Sequence, residues 1–326
     1  MKIGILGTGM IVKDLLTTIE KLHFKKIAIL GTLNTKEETE TLKNQYHLDA
    51  TCYDYDELLE SDIDTVYVAL PNHLHYAFAK KALEKNKHVI IEKPITTNAD
   101  ELKELIAIAH QKNKMILEAM NIHYLPAYQS LKEHMHQLGK IKVVSFNYSQ
   151  YSSRYNSFKE GKILPAFDYQ KAGGALMDLN VYNLHAIIGL FGQPNDVHYY
   201  PNIERHIDTS GIAILNYNDF QAVSIGGKDC KAPVMCTLQG DEGYIRFNTP
   251  ANQLRSYELS DNLGNVQTFS FDTQDHRLLY EFQEFIRIID ELDYRKAKKM
   301  LDLSLIVSET MQKARQEGGI VFGNEQ

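Results

Sequence analysis

The 326-residue chain has no tryptophan, only three cysteines and eight prolines. It also has no apolar run near the roughly 18 residues a membrane span requires. Cys52, Cys230 and Cys236 are too few and too irregularly spaced for a disulfide framework or a zinc site. Their scarcity points to a reducing, cytoplasmic setting. Excess positive charge is missing too: 35 Lys and Arg stand against 42 Asp and Glu, a net charge of -7. A main role on nucleic acid is thereby excluded, because phosphate binding needs a basic footprint. The first residues hold one lysine and glycines at 4, 7 and 9, which does not read as a signal peptide. What remains is ordinary globular composition, 44% hydrophobic and 24% charged, on a chain long enough for two domains.

The most informative stretch is His88 to Pro94. Val89, Ile90 and Ile91 read as a short buried strand, and the strand runs directly into Glu92, Lys93 and Pro94. A charged pair at the end of a buried strand is costly unless something uses it. In open α/β sheets the carboxyl ends of the strands are where ligands bind. Taken alone, the tripeptide reads as a surface ion pair more often than as a site; its surroundings change that.

Lys2 to Leu6 is an apolar strand, followed by the turn Gly7-Thr8-Gly9-Met10-Ile11 and an amphipathic stretch to about Leu22. Gly7 permits the tight turn, and Gly9 lets a pyrophosphate approach the backbone. Val12 stands where a third small residue is usual. After the second strand, Ile27 to Leu30, no Asp offers itself to a ribose 2′-hydroxyl and no Arg to a 2′-phosphate. Thr32, Asn34, Thr35 and Lys36 are the candidates there, Thr32 and Asn34 first, and the missing acid leans the reading toward NADP over NAD. A third strand, Thr65 to Leu70, ends in Pro71-Asn72-His73-Leu74-His75, so Leu70, Pro71, Asn72 and His75 join Glu92 and Lys93 as candidate cofactor contacts. Two histidines two apart, with no Cys or carboxylate close by, do not make a metal site, and none is expected. Strand and helix alternate through Ala119, which implies a parallel sheet.

Ala69 to His75, Ala82 to Pro94, Gly173-Gly174-Ala-Leu-Met-Asp178 through Tyr182, and Tyr280-Glu281-Phe282 together resemble the glucose–fructose oxidoreductase/inositol dehydrogenase (Gfo/Idh/MocA) family. The resemblance spans nearly the whole chain. It implies an NAD(P)-dependent oxidoreductase of sugars, polyols or related compounds, with Lys93 beside the nicotinamide and Asp178 in the same site. Tyr182 resembles the tyrosine of the glucose–fructose oxidoreductase and dihydrodiol dehydrogenase branch. That branch often carries Trp-x-Arg where this chain has Asn121-Ile122-His123, a departure that bears on the substrate.

From Lys142 the pattern becomes many short strands separated by polar turns, with a helix from about Ala175 to Phe191 inserted. The expected fold is therefore α/β: a doubly wound Rossmann domain over residues 1–121, then an α+β domain over 122–326 with a large, mostly antiparallel sheet. The last helix is a candidate to return to the first domain. The broad sheet suits homodimer or homotetramer formation, as is common in the family. Asp178 and Tyr182, four apart, share a helical face, and His185 lies near it; packing in the core is the competing reading for the aromatic rings. The expected reaction is hydride transfer between nicotinamide and a hydroxyl- or carbonyl-bearing carbon. Tyr182 handles the proton, Lys93 favours its phenolate or holds the substrate oxygen, and Asp178 orients Lys93 or a substrate hydroxyl; His185 is a further substrate contact. The rival readings are a non-catalytic nucleotide-binding regulator and an NAD-dependent glycoside-cleaving enzyme on the same fold.

Overall fold

The computed structural model describes residues 1–271 and 275–325. The chain forms two compact units, Met1–Ala119 with Gln274–Leu305 and Met120–Thr273 with Ile306–Gln326.

The first unit is built on six parallel strands: β1 (Lys2–Leu6), β2 (Lys26–Leu30), β3 (Ala50–Cys52), β4 (Thr65–Val68), β5 (His88–Glu92) and β6 (Ile116–Ala119). Their order is β3-β2-β1-β4-β5-β6. The order reverses between β1 and β4, the position at which doubly wound sheets open a ligand crevice. Every residue of β4, β5 and β6 is buried, as strands covered on both faces require. Helices Lys36–Tyr46, His75–Glu84 and Ala99–Lys112 alternate with them. Asn98 caps the last of these, its side chain accepting from the Glu101 amide at 2.9 Å. Asn113 ends it in the left-handed conformation. Two details differ from expectation. The first helix stops at Leu16 and a 3₁₀ turn covers Ile19–Lys21. The three-residue β3 is too short to leave a periodic signal.

The second unit carries an eight-stranded sheet: β7 (Ile141–Ser149), β8 (Asp196–Glu204), β9 (Ile207–Asn216), β10 (Gln221–Gly227), β11 (Cys236–Gly240), β12 (Gly243–Phe247), β13 (Ser256–Asp261) and β14 (Val266–Ser270). The order is β14-β13-β12-β11-β7-β10-β9-β8. Only β7 and β10 pair in parallel; the others are antiparallel. The expected fold class, a parallel Rossmann sheet followed by a mostly antiparallel one, is borne out. β8 escaped the sequence reading because Pro201 interrupts it; an edge position tolerates that proline. The inserted helix is not uniform. Leu176–Asn180 is a π turn, and a regular α-helix follows over Val181–Phe191. The final helix spans Tyr294–Glu317, with residues through Leu305 belonging to the first unit. Among the described residues no helix is long and apolar enough to cross a membrane.

The first unit's core closes around Val66, Val68, Val89, Ile91, Leu102 and Leu105, all fully buried. Replacing Leu102 with Ala removes a fully buried side chain from this cluster. It is expected to lower the unit's stability by about 3 kcal/mol, read by urea unfolding or by hydrogen exchange of the parallel strands.

Candidate active site

Four strand ends of the first unit supply the candidate cofactor residues. The turn after β1 has Gly7 at φ +100°, and a Cβ there would lie 2.9 Å from the Ala69 carbonyl oxygen. Only glycine fits so close to the end of β4. Gly9 is the opposite case: a Cβ there would meet no protein atom within 4 Å. The turn is therefore tight against the sheet and open in front. That shape fits a dinucleotide whose pyrophosphate approaches the backbone. Met10 is exposed and Ile11 half-buried at the head of the following helix. Val12 is fully buried, so the larger third residue is absorbed by packing.

After β2, Thr32 and Thr35 form a reciprocal cap, and the Thr32 amide donates to the Thr35 hydroxyl at 2.9 Å. Asn34 and Thr35 line a cavity of about 650 Å³ together with Lys13, Glu38, Gln45 and Tyr46. The acid that β2 lacks is supplied from further along. Glu38 accepts from the Thr8 hydroxyl at 2.7 Å and pairs with Lys13 at 2.5 Å. These two donors hold its carboxyl below the usual range. Because helix Lys36–Tyr46 brings Glu38 back to the glycine turn, counting along the chain did not find it.

Lys93 follows β5 and is half-buried, with Leu70, Pro71 and Asn72 following β4 at the same edge. Glu92 faces inward instead. Its carboxylate accepts from the Tyr67 hydroxyl, and burial raises its pKa. His75 is fully buried, its ring nitrogens 2.9 Å and 2.7 Å from the carbonyl oxygens of Pro94 and Leu70. The ring thus ties the two loops together from behind, and burial lowers its pKa. Beneath this corner Glu281 is fully buried, and neither of its oxygens has a hydrogen-bond partner among the described residues. Burial, reinforced by the charges of Glu92 and Glu118, raises its pKa well above the ordinary value. The half-buried Arg277 acts on both Glu92 and Glu281.

The second unit positions Asp178, Tyr182 and His185. Asp178 lies in the π turn and Tyr182 in the first turn of the regular helix. Four residues that pass through a π turn fall just short of a full turn, so their shared face is offset from that of an ideal helix. Tyr182 is buried, its ring 6.2 Å from that of Tyr148. His185 is buried with Nδ1 3.1 Å from Nε2 of His123. Tyr155, from the tyrosine-rich segment, is committed elsewhere: it donates to Glu204 at 2.6 Å and stacks on Phe158.

The double glycine before Asp178 is explained by close packing. A Cβ on Gly173 would lie 2.7 Å from the Pro165 carbonyl oxygen, and one on Gly174, at φ +105°, would lie 2.0 Å from Asp208 Oδ1. Asp208 Oδ2 accepts from the Leu176 amide and from the Tyr199 hydroxyl, both at 2.7 Å. The sequence reading missed Asp208, and also Lys228, whose ammonium lies 2.8 Å from Asp178 Oδ2. Lys228 directly follows β10, as Lys93 directly follows β5. Among the described residues no three metal-ligating side chains are grouped.

Residues 1–120 match the model of an oxidoreductase family with an NAD-binding Rossmann fold. The chain is 33% identical over 276 residues to scyllo-inositol 2-dehydrogenase (NADP(+)) IolU of Bacillus subtilis, covering 84% of each chain. It is 25% identical to D-xylose 1-dehydrogenase (NADP(+)) of Hypocrea jecorina, covering 99% of this chain and 93% of that one. The structure superposes on KijD10, a 3-ketoreductase from Actinomadura kijaniata in complex with NADP and TDP-benzene. The TM-score is 0.83 at 19% identity, with 97% of each chain covered. That last similarity is one of fold.

Burial pushes the Asp208 carboxyl from 3.8 up to about 6, its two hydrogen bonds notwithstanding. The folded state therefore holds a proton there that the unfolded chain gives up. The contribution of this group to stability is fully present below about pH 4, is lost by about 3 kcal/mol as pH rises to 6, and is level above that. Asp208→Asn keeps an acceptor for Leu176 and Tyr199 but cannot ionise. Its unfolding free energy between pH 4 and 7 is expected to be flatter than the wild-type curve, measured by urea titration.

Proposed function

The chain belongs to the Gfo/Idh/MocA oxidoreductase family, and we propose that it is an NADP-linked dehydrogenase or reductase of a polyol or sugar. It is an oxidoreductase that moves hydride between a nicotinamide cofactor and a hydroxyl- or carbonyl-bearing carbon. The observation that carries the reading is the placement of the Gly7–Gly9 turn and Lys93 along one edge of the parallel sheet, with open space in front of Gly9. The preference for the phosphorylated cofactor draws support from the two NADP-linked relatives.

When bound, the nicotinamide supplies the redox chemistry; the chain supplies binding, orientation and proton transfer. The glycine turn and Thr8 take the pyrophosphate side. Thr32 and Asn34 take the adenosine ribose side, and Leu70, Pro71 and Asn72 the rim beyond. In this reading Tyr182 gives or takes the hydroxyl proton. Lys93 holds the substrate oxygen, and Asp178, with His185 behind, orients a neighbouring hydroxyl. Glu92 and His75 act from below, setting the loop that presents Lys93.

We assign the outward face of the second sheet to a second copy of the chain. Tyr200, Ile212 and Ile225 are cross-strand neighbours in one row, and Ile214 and Val223 pair in the next. All are exposed or half-buried. A contiguous apolar row on a sheet face is a self-association surface. The three free thiols agree with a cytoplasmic location.

NADPH is expected to bind more tightly than NADH, read by quenching of tyrosine fluorescence and by thermal shift. NADP+ reduction is expected with scyllo-inositol or D-xylose as probe. Binding of neither cofactor by folded protein would end this reading. Tyr182→Phe should lower kcat by about 10²–10⁴-fold while NADPH binding is kept. Ile212→Glu should convert the oligomer to monomer in light scattering without loss of cofactor binding; an unchanged mass would place the interface elsewhere.

A further inference from the structure

Lys228 is a buried cation that the reaction as read above does not use. Its main chain is fixed on both sides: its amide donates to the Thr209 carbonyl, and its carbonyl accepts from the Ser152 amide, each at 2.8 Å. Its side chain is 2% exposed. The ammonium donates to the Ala166 carbonyl at 2.6 Å and stands 4.5 Å over the Phe167 ring. That same Ala166 oxygen accepts from the Gly174 amide at 3.1 Å. The ammonium is thus located by groups other than Asp178, at the segment that begins the site helix. From there it donates to Asp178 Oδ2 at 2.8 Å. The pair is asymmetric: the Asp178 side chain is 36% exposed while its partner is buried. A pair kept only for stability gains little from such geometry, since burying the lysine is expensive. A fixed cation holding a carboxylate that faces outward is instead an aiming device.

We propose that Lys228 is a positioning residue that sets the orientation and charge of the Asp178 carboxylate for hydride transfer. The inference rests on the reading of Asp178 as a substrate-side residue. The acids facing Lys228 are Asp178 and, more remotely, Asp208.

The test compares wild type, Asp178→Asn, Lys228→Gln, Lys228→Arg and the Asp178→Asn/Lys228→Gln double variant, using NADP+ with scyllo-inositol and D-xylose as probes. Lys228→Gln is expected to lower kcat/KM by about 10–100-fold, with NADPH affinity within about twofold of wild type. The acid limb of its pH profile should move up, as removal of a cation beside a carboxylate requires. Lys228→Arg should recover most of the loss. The double variant should be no worse than Asp178→Asn, since the two residues act as one unit. A Lys228→Gln enzyme with wild-type rate and pH profile, while Asp178→Asn is impaired, would overturn the proposal; so would additive losses. Should Lys228→Gln not fold, Lys228→Met is read in its place: a lowered kcat/KM with a raised acid limb supports the proposal, and a wild-type rate and profile overturn it. A wild-type rate in Asp178→Asn, or no NADP+ reduction by the wild type, fails at the earlier step. Either result removes the reading of the site, and this inference with it.

Discussion

A single carboxylate oxygen of Asp208 accepts both the Leu176 amide and the Tyr199 hydroxyl, and the second unit's site helix begins where it does because of that contact. The first amides of a helix have no partner within it, and Asp208 supplies one from a neighbouring strand. Gly174 must be glycine because Asp208 stands against it, and Gly173 because the chain at Pro165 and Ala166 does. The Ala166 carbonyl in turn takes Gly174 and Lys228. Burial of so many polar groups is tolerable because they satisfy one another. The position of Asp178 is the sum of these contacts.

The first unit uses buried polarity differently. Its parallel strands are apolar along their length and turn polar only at their carboxyl ends. Beneath that edge sit Glu92, Glu118 and Glu281, and burial holds the first and last toward their neutral forms. Tyr67, His75 and Arg277 meet them from the surrounding elements. These groups stiffen the corner from which Lys93 emerges. Buried acids below and a half-buried lysine above let a sheet edge present one charge and hide the others.

Much of this was legible from the chain. A charged residue after a run such as Val89 to Ile91 marks a sheet edge, because little else explains it. The pairing of Glu92-Lys93-Pro94 with Gly173-Gly174 and Asp178 carried the family. What stayed hidden depends on contacts between distant positions. Glu38 reaches Thr8 across thirty residues, and Asp208 reaches Leu176 across a strand connection. Neither leaves a local pattern. The segment from Tyr148 to Tyr155 divides: Tyr148 lies beside Tyr182, while Tyr155 belongs to an aromatic stack.

The π turn over Leu176–Asn180 has a consequence for how this segment can vary through evolution. Such a turn holds one residue more than the α-helix it interrupts. Four α-helical residues turn through about the same angle as these five, so loss of one residue would restore the regular helix and leave the flanking chain nearly in register. The change would fall within the turn itself, where the carboxylate of Asp178 meets its lysine. The extra residue thus sets how far around the helix Asp178 stands from Tyr182, and it can be gained or lost without disturbing what lies on either side.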